Sequence, residues 1–300
     1  MAQPLNSVKS PRKSTKKPRL FLKRDEKISK GLRSVASLQI EAALWELKGN
    51  NVSPEPIHNA RTYIKKVHSI VQLAAPALGR MRRESLMKQL QEASSRLAPL
   101  RDSEMQVQSL DLVIETAALP PEQFSSLRSG LADIAKQRRI NDTRQIPLVM
   151  NFLRKVLKSI PEWPLDMLEG KGIRRRIRRT YRRGRTTLEV CQVSGNQALF
   201  HAWRKLVKQL GYQLQITAKF WPDSATDLIA SVDRIGELAG RERDYSLLIQ
   251  TMKQGPRTRS SEQLIAVMEE LIPPLRKETL ENGVLFYDLK PKFFIEPLDL

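Results

Sequence analysis

The sequence predicts an all-α protein, and three observations carry that reading. Apolar residues recur at helical period through most of the chain, the pattern that buries one face of a helix. The turn-forming segments between them are short. Only Val284-Leu-Phe-Tyr-Asp288 hints at extended chain. At 300 residues, 40% of them apolar, the chain can bury a real core as one large domain or as two of about 150 residues.

Helical period runs through residues 26–48, 55–78, 83–112, 121–139, 145–160, 172–192, 197–216, 223–240, 241–253 and 260–279. Gly49-Asn-Asn-Val-Ser-Pro54 closes the first segment, and Pro120-Pro121 opens the fourth. Further breaks fall at Pro161 to Pro164, Gly195-Asn196, Pro222-Asp223 and Gly255-Pro256. Pro273-Pro274 should cut or kink the last helix. Short loops between many helices predict antiparallel bundles.

Charge narrows the function. With 52 Lys and Arg against 32 Asp and Glu, the net charge is +20, so the expected partner is anionic. The single cysteine, Cys191, excludes a disulfide scaffold and a multi-thiolate metal site. No apolar run approaches the roughly 18 residues that span a bilayer. Met1 to Lys17 lacks the apolar centre of a secretory signal, so a soluble cytoplasmic protein with no membrane partner is expected. Residues 1–24 hold eight Lys and Arg and no acid; positions 1–22 are read as a disordered basic arm.

Two segments repeat at an offset of 143 residues. His58-Asn-Ala-Arg61-Thr-Tyr-Ile-Lys65-Lys66-Val-His68 matches His201-Ala-Trp-Arg204-Lys205-Leu-Val-Lys208-Gln-Leu-Gly211. At about 100° per residue, His58, Arg61, Lys65 and His68 share one stripe, opposite Ala60, Tyr63, Ile64 and Val67. The second segment divides alike, with His201, Arg204 and Lys208 facing away from Trp203, Leu206, Val207 and Leu210. Each helix thus buries one face and offers a ladder of cations on the other.

A third basic helix lies between them. Residues 172–185 contain eight arginines: Arg175, Arg178, Arg179, Arg182 and Arg185 gather opposite Ile173, Ile177 and Tyr181, and Arg174, Arg176 and Arg183 flank them. Each repeat is followed by an Arg-Asp pair, Arg101-Asp102 and Arg243-Asp244, read as a structural pair whose aspartate caps the next helix. The duplicated order is helix, motif helix, helix, Arg-Asp, helix.

These features together resemble the CHAD family, the conserved histidine α-helical domain. Its His-x-x-Arg-x-x-x-basic-basic helix stands here as His58 to Lys66. The second motif stands as His201-x-x-Arg204-Lys205-x-x-Lys208-x-x-Gly211-Tyr212. Tyr181-Arg-Arg-Gly-Arg185 is similar to the family's helix at the start of the second half. Gly211 and His68 occupy places where the family often has arginine, and no Glu-x-Glu-x-Lys segment of a triphosphate tunnel domain is present. The likeness runs over residues 23–280, with halves of about 23–140 and 145–280 and a C-terminal extension at 281–300.

What the resemblance implies is two four-helix bundles related by a pseudo-twofold, with basic faces lining a central pore or groove. It also implies long-chain inorganic polyphosphate as ligand, and links to enzymes of polyphosphate metabolism and to polyphosphate granules. The residues expected to bind are Arg33, His58, Arg61, Lys65, Lys66, His68, Arg175, Arg178, Arg179, Arg182, Arg183, Arg185, His201, Arg204, Lys205 and Lys208. Two roles stay open for His58 and His201: contact with phosphate, or a helix-terminal hydrogen bond. Metal ligation is disfavoured because Thr62 and Lys205 stand four residues on.

No phosphate-cradling Gly-rich loop, nucleophile elbow or His-Glu-x-x-His is present. The chain therefore reads as a binding module, not an enzyme, with no cofactor and no metal. Two rival readings remain: nucleic-acid binding through residues 172–185 and the N-terminal arm, and docking of the basic face on an acidic protein.

Overall fold

The computed structural model describes residues 17–49, 53–222 and 225–300. Among them are twelve α-helices and no strand. In order these are α1 (Ile28–Glu46), α2 (Pro54–Leu73), α3 (Ala75–Leu78), α4 (Arg80–Arg96), α5 (Ala98–Thr116) and α6 (Ser125–Asp142). There follow α7 (Ile146–Ser159), α8 (Gly170–Ser194), α9 (Gln197–Thr217), α10 (Ala225–Gln254), α11 (Arg259–Phe286) and α12 (Pro291–Ile295).

Helices α1, α2, α4 and α7 pack in a closed ring, and α8, α9, α10 and α11 form a second. The rings meet where α2 lies on α8 and α9. Helix α7 begins the stretch assigned by sequence to the second half, yet it completes the first ring.

A large core runs through both rings and holds Trp163, Tyr181 and Trp203. A smaller one joins α5 and α6 to the adjoining parts of α10 and α11, around Phe124, Tyr245 and Leu248. Fully burying one such large apolar side chain is worth about 2 kcal/mol. The motif helices bury the faces that the wheel predicts: Ala60, Tyr63, Ile64 and Val67 on α2, and Trp203, Leu206, Val207 and Leu210 on α9.

Several boundaries differ from expectation. The segment 83–112 is two helices, α4 and α5, parted at Leu97 with Pro99 in the first turn of α5, where its missing N–H costs nothing. Conversely, residues 225–253 run in one helix across the expected break at 240, because Gly240 alone at that point is too weak a breaker. Helix α11 continues through Pro273 and Pro274. Both prolines are exposed, as are Glu269 and Glu270, whose carbonyls lose their helical partners and face water. Val284 to Phe286 close α11 instead of forming extended chain.

The chain ends also differ from expectation. Of the predicted arm, residues 1–16 lie outside the described residues, whereas residues 19–22 sit on the core. Leu22 is buried and its N–H donates to the Ile216 carbonyl at 2.8 Å, while Arg19 pairs with Glu26 at 2.8 Å. The C-terminal extension is likewise integral. Phe294 stacks on Tyr181 at 3.8 Å between ring centroids, Leu298 is buried, and the Leu298 carbonyl accepts from Arg174.

Candidate functional site

The cationic stripes of α2 and α9 converge where the rings meet, flanked by α5 and α10. Lys65 stands in the field of Arg61 on its own helix, Arg101 on α5, and Arg204 and Lys208 on α9. Desolvation where these helices meet, then those four cations, pushes its pKa down to about 7, although the residue remains exposed at the surface. Arg61 donates to the Ser94 carbonyl near the end of α4, which holds the guanidinium in place. Burial also pulls the Arg61 and Arg204 guanidinium pKa values below the ordinary range.

Helix α10 makes room for the second ladder. A Cβ at Gly236 would meet Lys208 Cε at 2.7 Å and Nζ at 2.8 Å, and one at Gly240 would meet an Arg204 terminal nitrogen at 3.4 Å. These glycines let the two side chains lie flat along α10. Lys208 then comes under the attraction of Asp233 and Glu237, which oppose the depression that burial imposes on its pKa.

The Arg-Asp pairs do not cap helices. Asp244 lies inside continuous α10, and no side chain caps α5. The aspartates serve as counter-ions instead. Arg101 lies 3.2 Å from Asp102 and 3.5 Å from Asp244, tying the first motif to the second. Burial raises the Asp244 pKa even against Arg101 and Arg204.

The two histidines have different neighbours. Nε2 of His201 is 3.1 Å from an Arg243 terminal nitrogen, which can only donate, so Nε2 accepts. Its Nδ1 is 3.9 Å from the fully buried Glu242, itself held by Arg276. Burial, then Arg243 and Arg204, pushes the His201 pKa down to about 4. His58 is shifted the same way, by burial and then Arg101. Both imidazoles are therefore neutral near pH 7.

The structure thus brings together His58, Arg61, Lys65, Arg204 and Lys208, with His201 at the α9 end and Lys205 among the charges acting on it. Arg101, decisive for joining the two ladders, was read from sequence only as half of a structural pair. Other expected residues lie elsewhere. Arg33 clasps the Trp163 carbonyl at 2.6 Å and Asp166 at 3.1 Å, and Lys66 sits over the Tyr63 ring at 5.1 Å. His68 is lowered in pKa by burial alone.

The arginine helix splits into three faces. Arg175, Arg178 and Arg182 point to solvent. Arg185 donates to the Leu289 carbonyl at 3.3 Å. On the third face, Arg176, Arg179 and Arg183 turn toward Gln72 and Arg83. Among the described residues, no group of three His, Cys, Asp or Glu side chains is placed to hold a metal ion. No described helix is long and apolar enough to cross a membrane.

A family model described as the CHAD domain matches residues 35–253, nearly three quarters of the chain. The chain belongs to the CHAD family. Its fold is similar to that in the crystal structure of the CHAD domain from the plant Ricinus communis, with a TM-score of 0.70. That likeness covers 92% of this chain and 97% of that chain at 16% identity. No curated protein matches the sequence. CHAD domains are generally binding modules rather than catalytic ones. In this CHAD chain the matched stretch contains both motif helices, the arginine helix and both Arg-Asp pairs.

Proposed function

We propose that this protein binds long-chain inorganic polyphosphate along the groove between α2 and α9, as a non-enzymatic module. One observation carries the reading: two histidine-arginine-lysine ladders from distant parts of the chain converge on Lys65, and the charges bearing on that lysine are all cationic. A flexible polyanion with one charge per repeat would relieve this repulsion along its length. The arginines would grip phosphate oxygens in pairs and the lysines would act as point charges.

Membership of a family associated with polyphosphate binding supports the reading. So does the burial of Tyr63, Tyr181 and Trp203, which leaves those rings unavailable to stack on bases. In the cell the module would sit in the cytoplasm with polyphosphate granules, or serve an enzyme of polyphosphate metabolism.

Calorimetric titration with long-chain polyphosphate, against a single-stranded oligonucleotide of equal charge, tests the proposal at two salt concentrations. Polyphosphate should bind more tightly, with log affinity falling by about 0.7 per contacted phosphate for each decade of salt. Six contacts give a slope of about −4. The Arg204→Glu, Lys208→Glu double variant should lose the binding and keep its helix content. Equal affinity for both polymers would transfer the reading to a general polyanion surface.

A further inference from the structure

Helices α8 and α11 close the second ring as an antiparallel pair. They meet closely at two levels: a Cβ at Gly283 would lie 3.2 Å from Leu188 Cδ2, and Arg276 donates to the Gly195 carbonyl at 3.4 Å. Between those levels the helices part, and a groove of about 470 Å3 opens to solvent. Gln192 lines it from α8, and Ile272, Pro273, Leu280 and Val284 line it from α11. Beside it Val193 projects from the last turn of α8, 90% exposed. None of these residues belongs to the cationic ladders of α2 and α9.

Charge sets this face apart. A chain at +20 repels its own copies wherever cations crowd its surface. Residues 186–203 and 278–289 contain no lysine or arginine. The cations that border the groove each have an acid of their own. Arg276 is held by the buried Glu242, Arg185 lies 3.4 Å from Glu189, and Lys277 lies 3.9 Å from Glu281. The face is therefore near neutral, with both signs on its rim.

Shape points the same way. The patch holds a projection, Val193, next to a recess of matching apolar character. A twofold axis lets each of two copies place its Val193 in the groove of the other, the reciprocal contact that an isologous interface requires. From Ile272 to Val284 the groove runs about 20 Å, and two helix widths of about 10 Å each give a footprint of about 400 Å2 a side, the size of a weak, transient interface.

We infer that the α8–α11 groove is a docking surface for a second copy of this chain, and that the protein forms a weak symmetric dimer through it. Burial of Val193 and the groove lining supplies the attraction. The neutrality of the face removes the repulsion that a cationic surface would impose. The ladders of α2 and α9 stay outside the interface.

Sedimentation of the full chain at concentrations up to about 0.5 mM, in about 0.15 M salt where distant charges are screened, tests it. The mass should rise with concentration toward that of two chains. Val193→Asp puts a charge on the projecting side chain, which lies outside both cores. It should raise the dissociation constant by about tenfold or more, with helix content and melting temperature unchanged. Met167→Asp, at a comparably exposed apolar residue just before α8, should leave association within about twofold of wild type. A chain that stays monomeric throughout the range overturns the inference. So does a dimer that survives Val193→Asp, or one that Met167→Asp dissolves equally well.

Discussion

Helices α2 and α9 carry histidine, arginine and lysine at the same spacing, yet their lysines meet opposite surroundings. Lys208 lies over Gly236 on α10 under the pull of Asp233 and Glu237, whereas the charges bearing on Lys65 are all cationic. The histidines diverge as well. Behind His201 sits the buried Glu242–Arg276 pair; its counterpart in the Arg-Asp alignment, just before Arg101, is the apolar Leu100. The contrast in charge therefore lies in the lysines: Lys208 is held by the protein's own acids, whereas Asp102 bears on Arg61 of the other ladder and Lys65 keeps cationic neighbours.

The largest effect should come from making the second half like the first. Glu242→Leu would leave Arg276 without its buried partner and should cost about 3–5 kcal/mol in urea unfolding. Adding Arg276→Met should restore most of that loss, since an apolar pair of similar volume replaces the ion pair. If the single variant melts like wild type, the buried pair is not what anchors α9.

A smaller effect should appear with pH. The folded pKa of Lys65, about 7, lies below its unfolded value near 10.5. The unfolded chain therefore holds this proton more tightly between those values, and the contribution of Lys65 to stability should rise with pH across that window. Polyphosphate affinity should move the other way. It should weaken from about pH 6 to about pH 8 as Lys65 discharges, and the slope should flatten in Lys65→Gln. An unchanged slope in that variant would place the titrating group elsewhere. His201, with a pKa of about 4, stays neutral through this range.

The smallest effect sharpens the contrast from the other side. In Gly236→Ala the new Cβ would meet only the flexible end of Lys208, so the side chain can swing away at little cost. Removing a mid-helix glycine is worth up to about 1 kcal/mol. Melting temperature should hold or rise while polyphosphate affinity falls about threefold, read by calorimetry. Unchanged affinity would show that the flat course of Lys208 along α10 does not matter.

Period-3.6 patterning made the helices and the buried faces of α2 and α9 legible, because local geometry alone decides which side of an isolated wheel is apolar. What lay beyond reach were relations between distant helices. Arg101 reaches Asp244 across the two halves, and no local spacing encodes that. Arg-Asp followed by a helical pattern reads as a cap, but Asp244 sits in mid-helix because a lone Gly240 is too weak a breaker to end α10. The faces of α8 were read as one cationic surface. Packing separated them into a flank beside α2 and α4 and a flank carrying Arg174 and Arg185 that holds the chain's last residues. Nothing local marks Gln72; its partner, the Arg176 guanidinium, comes from α8, more than a hundred residues on.

Helix α10 runs for 30 residues, about 45 Å, and belongs to both cores. Val232, Ile235 and Ala239 enter the large core, while Leu238, Tyr245 and Leu248 enter the small one. Fraying one stretch of α10 would strip packing from both cores. The small core should therefore not persist as a separately folded remnant when the large one opens. Amide exchange along α10 should be uniformly slow away from its ends, and denaturation should show a single transition rather than a stepwise loss of its parts.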